Sequence, residues 1–311
     1  MIRRGRLAPS PTGVLHLGNA RSFLLAWLDA RARGGRVLLR IEDLDGPRVK
    51  PGAAEAAIAD LEWLGLDWDE GPVFQKPRLG RYAEVLADLA ARGLAYPCTC
   101  SRRDVLRAAS APHPGEEGPI YPGTCRGRWR SAEEARAATG REPSWRFAVP
   151  AGRTVTIRDR VAGERRWRVA EELGDFVIAR SNGEPAYQLA VVVDDRDQGV
   201  TDVVRGDDLL PSAARQTLLW EALGARPPAW AHLPLVVGPD GRRLAKRHGD
   251  TTLARFRADG VAPEELCGWL AAWSGLRPPG ARCRPAELIE GFNTAAVPRE
   301  PVVWAGVGPA R

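Results

Sequence analysis

The sequence predicts an α/β fold: a doubly wound parallel sheet, split by an inserted α+β region and followed by a short helical C-terminal stretch. Three observations predict it. A short apolar stretch, residues 5–8, runs through a Gly/Pro loop into an amphipathic helix, the opening of a nucleotide fold. Residues 36–41, RVLLRI, make a nearly continuous apolar run suited to the interior of a parallel sheet. Past residue 186 the apolar strand and helix patterns resume after an interval of short strand patterns and clustered cysteines. The expected parts are 1–95, the first half of the catalytic fold; 96–186, the insert; 187–250, the second half; and 251–311, the helical C-terminal region.

Each element follows from local pattern. Leu17, Phe23, Leu24, Trp27 and Leu28 recur at helical spacing between Leu17 and Ala32, and further helices are expected over Ala53–Leu64 and Leu79–Arg92. In the insert, a cysteine-bearing stretch over about 96–130 precedes short strands at Trp145–Val149, Val155–Arg158 and Trp167–Val169. The sheet then resumes with strands at Ala190–Val193 and Val200–Val204. A helix over Ala213–Ala222, opened by Pro211 and Ser212, and a strand over Leu233–Val237 complete it. In such a fold the ligand crevice lies beyond the carboxyl ends of the strands, between the two halves.

Two distant segments look like the halves of one ATP site. His16-Leu17-Gly18-Asn19 opens the first helix, where unpaired backbone N–H groups and the positive dipole end suit phosphate. Gly18 lets a flat base approach the backbone, and His16 can donate to a phosphate oxygen. Lys246 and Arg247 lie in a cation-rich loop after the turn Pro239-Asp240-Gly241, and a lysine beside a triphosphate can stabilise charge that develops when the α-phosphate is attacked. The structural alternatives are a polar helix start for the first segment and a solvated basic hairpin for the second.

Together these segments resemble the two signatures of class I aminoacyl-tRNA synthetases of the glutamyl type. His16 to Asn19 stand where that family has HIGH, and Leu244 to His248, LAKRH, where it has KMSKS. The likeness extends in order through residues 6–13 (RLAPSPTG), 39–45 (LRIEDLD), 187–195 (YQLAVVVDD) and 204–208 (VRGDD). It implies a Rossmann-like class I synthetase fold, with ATP and its Mg²⁺ held by His16, Gly18, Asn19, Leu244, Ala245, Lys246 and Arg247, and with His16 and Lys246 catalytic. Glutamate is expected on Arg6, Leu7, Ala8, Pro9, Ser10, Glu42, Tyr187 and Arg205. Arg6 and Tyr187 would take the γ-carboxylate, Arg205 the α-carboxylate, and Glu42 with Ser10 the α-ammonium; an arginine fork meets a carboxylate with two parallel hydrogen bonds. The structural alternatives are that Arg6 pairs with Glu42 and that Tyr187 is a half-buried core residue. Two positions depart from the signatures. Asn19 replaces the second His, as is common in the glutamyl type, and Ala245 removes a hydroxyl before the lysine.

After Asp259 only about fifty residues remain, too few for an anticodon-binding domain of ordinary size. That shortness resembles the glutamyl-Q branch of the family, which activates glutamate without tRNA and transfers it to the queuosine base of tRNA(Asp). The branch also carries Cys-x-Cys followed by Tyr-x-x-x-Cys. Here Cys98, Cys100, Tyr121 and Cys125 supply it, and thiolates at such spacing suit one structural Zn²⁺. His113 or water are alternative fourth ligands. Cys267 and Cys283 read as core thiols.

Composition agrees with a cytoplasmic enzyme: 44% hydrophobic, 27% charged, and no apolar run approaching a membrane span. The net charge of +6 favours a polyanionic partner without identifying it. The expected partners are ATP, L-glutamate and queuosine-containing tRNA(Asp), with no membrane, for a monomer. Two alternatives remain, a minimal glutamyl- or glutaminyl-tRNA synthetase that charges the acceptor end and a catalytically idle RNA-binding paralogue.

Overall fold

A computed structural model describes residues 2–44, 46–108, 119–244 and 251–306. The first half runs β1 (Arg4–Leu7), α1 (Leu17–Arg31), β2 (Arg36–Ile41), α2 (Ala53–Trp63), β3 (Glu70–Phe74) and α3 (Leu79–Ala91). Strands β1, β2 and β3 form a parallel sheet in that order, with Leu7 opposite Leu39 and Ile41 opposite Phe74. Residues 37–41 are all buried, as an apolar run in the middle of a parallel sheet requires.

The insert contributes β4 (Ala95–Cys98), α4 (Arg102–Ala108), α5 (Ala132–Thr139), β5 (Ser144–Phe147), β6 (Thr154–Asp159), β7 (Gly163–Arg168), α6 (Val169–Glu172) and β8 (Phe176–Ala179). Here pairing is antiparallel, in a sheet ordered β4-β5-β8 and a hairpin β6-β7. Alternate residues of β6, Val155, Ile157 and Asp159, point inward, the period-two pattern of a half-buried strand.

The parallel fold resumes with α7 (Tyr187–Asp197), β9 (Asp202–Gly206), α8 (Leu210–Ala222), β10 (Ala229–Leu233) and β11 (Val236–Val237). β9 pairs in parallel with β10 and lies against β1, where the Thr201 N–H donates to the Arg4 carbonyl at 2.9 Å. The lateral order is therefore β3-β2-β1-β9-β10, and its topological switch falls between β1 and β9. The C-terminal region supplies α9 (Leu253–Ala258), α10 (Pro263–Trp273) and β12 (Val302–Val303). β12 returns to pair in parallel with β11, fixed by the Trp304 N–H to the Val237 carbonyl at 2.7 Å. Cys267, Cys283 and Trp304 belong to the same apolar core as α1, so the C-terminal region packs on the first half of the fold. Among the described residues no helix is long and apolar enough to cross a membrane.

Two expectations are corrected. Residues 190–193 are not a strand but the middle of α7. Residues 189–195 are buried all round, and a short wholly apolar run carries no periodicity to separate strand from helix. The stretch 233–237 is not one strand. Pro234 has no N–H to continue the ladder, so β10 stops at Leu233 and the chain re-forms as β11 with a different neighbour.

Candidate active site

The loop between β1 and α1 is shaped by a capping arrangement at His16. The Gly18 N–H donates to His16 Nδ1 at 3.1 Å, and the His16 N–H donates to Asn19 Oδ1 at 3.2 Å. This is a capping box in which Asn19 fills the reciprocal position, the structural role of the signature's departure. Because Nδ1 accepts, the ring proton is assigned to Nε2. Burial, then the nearby Arg243 cation, holds the imidazole down to about 4, so it is neutral and offers a single donor. A Cβ on Gly18 would stand 3.0 Å from His16 Cε1, crowding the ring.

The described flanks of the second signature stand beside the first. Leu244 is buried and its N–H reaches the Val236 carbonyl, while Arg243 pairs with Asp208 at 2.8 Å. Beyond the segment, the Leu17 N–H donates to the Thr251 carbonyl at 3.0 Å and the Leu253 N–H to the Leu15 carbonyl at 2.9 Å. Both flanks of the predicted lysine loop thus stand beside the start of α1. Ala245, Lys246 and Arg247 lie outside the described residues.

At the switch between β1 and β9 lies a cavity of about 310 Å³. Arg6, Ala8, Ser10, His16, Gly18, Asn19, Glu42, Tyr187 and Arg205 all line it. Leu7 and Pro9 are buried beside it, and the Pro9 carbonyl accepts the Glu42 N–H at 3.0 Å, tying the loop to the end of β2. Arg6 and Glu42 do not pair with each other. Arg6 Nε stands 3.7 Å from Asp195, whereas Glu42 accepts from Arg40 at 3.1 Å. Tyr187 is 37% exposed, at the first turn of α7, with its hydroxyl 3.4 Å from Arg205.

Sequence reasoning missed the groups behind this wall. Arg40, fully buried, sits among Glu42, Asp195 at 2.8 Å and Asp194 at 3.8 Å. Asp194 also accepts from Gln75, Arg78 and Tyr82. The signal available was the paired aspartates ending the VVVDD run, which a helix places toward adjacent partners. Arg205 is different. It is 6% exposed and stacks over Trp230 at 4.8 Å, and its hydrogen bonds go to His232, the Tyr187 hydroxyl and the Leu209 carbonyl, all neutral. Among the described residues no carboxylate bonds it, so a buried cation faces the cavity.

In the insert, Cys98, Cys100 and Cys125 place their sulfurs within 4.8 Å of one another. Cys100 and Cys125 are 3.5 Å apart, and the Tyr121 hydroxyl stands 3.4 Å from Cys98 and 3.8 Å from Cys100. A tetrahedral metal with sulfur about 2.3 Å away sets its ligands roughly 3.8 Å apart, so the donor set fits such an ion. Burial pushes the Cys100 thiol up to about 12. Burial also acts on Cys125, but bonds from Tyr121 and the Thr99 backbone bring it to about 7. Arg146 donates to Cys98 and lies 3.7 Å over the Tyr121 ring, a cation beside the thiols. His113 lies outside the described residues.

Residues 3–298 match the family model for tRNA synthetases class I (E and Q), catalytic domain. A protein of Symbiobacterium thermophilum named glutamyl-Q tRNA(Asp) synthetase is 54% identical over 96% of this chain and 94% of its own length. One of the same name from Rhodopirellula baltica is 47% identical over 96% and 95%. The crystal structure of a glutamate tRNA ligase from Elizabethkingia meningosepticum, in complex with its amino acid, superimposes with a TM-score of 0.81 at 27% identity, over 98% of this chain and 67% of that one. With the first signature lining a cavity at the switch of a doubly wound sheet and the family model matching residues 3–298, the chain belongs to the class I tRNA synthetases of the glutamyl and glutaminyl type.

Proposed function

We propose that the chain activates L-glutamate with ATP, without tRNA, and transfers the glutamyl group to the queuosine base of tRNA(Asp). The observation that carries the first half is Arg205: among the described residues this buried guanidinium hydrogen-bonds only neutral partners, with Asp195 acting on it from beyond bonding distance, and an anionic substrate supplies a direct counter-ion. Glu42, across the same cavity, suits an ammonium. A ligand with both carboxylate and ammonium answers both. The second half is supported by the two relatives of that name, alike along nearly the whole chain.

In this reading Arg6 and Tyr187 take the γ-carboxylate, Arg205 the α-carboxylate, and Glu42 with Ser10 the ammonium. His16 donates from Nε2 to an ATP phosphate oxygen, at the positive dipole end of α1. Leu244, Ala245, Lys246 and Arg247 bind the nucleotide, and Mg²⁺ accompanies its phosphates. An oxygen of the α-carboxylate attacks the α-phosphate in line and pyrophosphate leaves, so catalysis is positioning and charge neutralisation, with no protein nucleophile. A hydroxyl of the queuosine cyclopentenediol then attacks the adenylate carbonyl, forming an ester and releasing AMP, whose phosphate can take the proton.

The test is glutamate-dependent ATP–pyrophosphate exchange without tRNA, followed by transfer of labelled glutamate to tRNA(Asp) with and without queuosine. Exchange without tRNA and queuosine-dependent transfer are expected. Exchange that requires tRNA(Glu), with charging of its acceptor end, would overturn the reading.

Zinc on Cys98, Cys100 and Cys125, with the Tyr121 oxygen fourth, would staple the end of β4 to residues 121–125. About one equivalent of zinc is then expected in the purified protein, and its removal by a chelator should free three reactive thiols and lower the melting temperature. Cys125→Ser should lose most of the metal. Metal analysis finding none in the parent protein would sink this assignment.

A further inference from the structure

His232, on β10, is buried at 1% exposure and does not line the cavity, yet both of its ring nitrogens are engaged. Nδ1 stands 2.6 Å from Asp159 Oδ2, and Nε2 accepts from Arg205 Nε at 3.0 Å. Since Nε–H of arginine only donates, Nε2 must be the acceptor, and the ring proton is on Nδ1, facing the carboxylate. Asp159 is itself fixed: Oδ1 accepts from the backbone N–H groups of Val161 at 2.9 Å and Ala162 at 2.8 Å, and the His232 N–H approaches both oxygens. Burial lowers His232 to about 4, whereas Asp159, although buried, is held at about 2 by its bonds to His232 and the backbone. A neutral ring therefore stands between a fixed anion and a buried cation.

The consequence falls on Arg205. Three of its five N–H groups are committed, to His232, Tyr187 and Leu209, and two remain for a ligand. Stacking on Trp230 sets the plane of the guanidinium, and the bonds at its edge oppose rotation within that plane, the one to His232 being the shortest. We propose that His232, oriented by Asp159, is a positioning residue that aims Arg205 at the substrate carboxylate, a role that rests on the glutamate-activating reading above. Asp159 belongs to β6 of the insert and Arg205 to β9 of the parallel sheet, so the insert takes part in building the amino-acid site.

Asp159→Asn tests the relay without touching the ring. The N–H groups of Val161 and Ala162 keep the amide oxygen in the Oδ1 place, so the amide NH₂ faces Nδ1 and drives the ring proton to Nε2, where it opposes the Arg205 Nε–H. Glutamate kcat/KM in pyrophosphate exchange should fall about ten- to a hundredfold, the size of one charge-assisted hydrogen bond, with the KM for ATP within about threefold of the parent. His232→Leu should behave alike, and His232→Gln, which restores an acceptor, should recover most of the loss. Ring ¹⁵N NMR provides a readout independent of catalysis: Nδ1–H in the parent enzyme, Nε2–H in Asp159→Asn. Parent-level exchange in folded Asp159→Asn and His232→Leu overturns the positioning role alone, as does an Nε2–H ring in the parent. No glutamate-dependent exchange in the parent overturns the functional reading, and the role with it.

Discussion

Lys246→Ala is expected to abolish glutamate-dependent pyrophosphate exchange, by about a thousandfold or more, while the melting temperature and glutamate binding stay at the parent level. The two described residues that bracket residues 245–250 are held at the first signature. Leu244 is bonded to the Val236 carbonyl and Thr251 to the Leu17 N–H, beside the start of α1. On the activity proposed above, a cation in that loop meets the phosphate whose charge rises as it becomes pentacoordinate, and meets it more strongly in the transition state than in the ground state. The loss should therefore appear in kcat. His16 cannot substitute for the lysine: with its ring held to about 4 it is uncharged at working pH and contributes a hydrogen bond only. Exchange within about tenfold of the parent in a folded Lys246→Ala protein would remove Lys246 from the mechanism.

How much of this was legible in the sequence depends on the range over which the deciding interactions act. β2 was read with its bounds intact, and α1, α2 and α3 to within a residue or so, because apolar spacing and Gly/Pro punctuation are local. α7 was not legible, since residues 189–193 (LAVVV) are apolar on every side and the aspartates that follow, Asp194 and Asp195, take partners far away, Arg40, Gln75, Arg78 and Tyr82. β7, GERRWR, shows no alternation because it is mostly solvent-facing, and only its pairing with β6 makes it a strand. The same division holds in the cavity. Residues within the short motifs were found, whereas Arg40 and His232 were not, because their meaning comes from partners more than twenty residues distant or from another layer of the fold. Asn19 illustrates the middle case. Its presence was legible, but its capping bond to His16 was not.

Glu42→Gln is expected to lower glutamate kcat/KM by about a hundred- to a thousandfold, the cost of leaving a buried charge without its partner. Glu42 is 9% exposed; burial raises its carboxyl above the ordinary range, with the Arg40 and then the Arg6 cation opposing. Arg40 already serves Asp194 and Asp195 as well, so three carboxylates share one fully buried guanidinium and the Glu42 charge is only partly met. A substrate ammonium completes that balance, and glutamine cannot, although its amide oxygen can keep the bond from Arg40 and hence the local fold. The direction of the pKa gives the pH dependence its sign. As pH falls through the raised value, Glu42 becomes neutral and glutamate kcat/KM declines, since that ratio follows the ionisation of the free enzyme. The His16 ring protonates only near 4, so its contribution follows lower down. In Glu42→Gln the upper acid limb should vanish and the profile should become flat down to the His16 range. An unchanged limb, with a glutamate KM within about threefold of the parent, would mean that Glu42 braces Arg40 and does not meet the substrate.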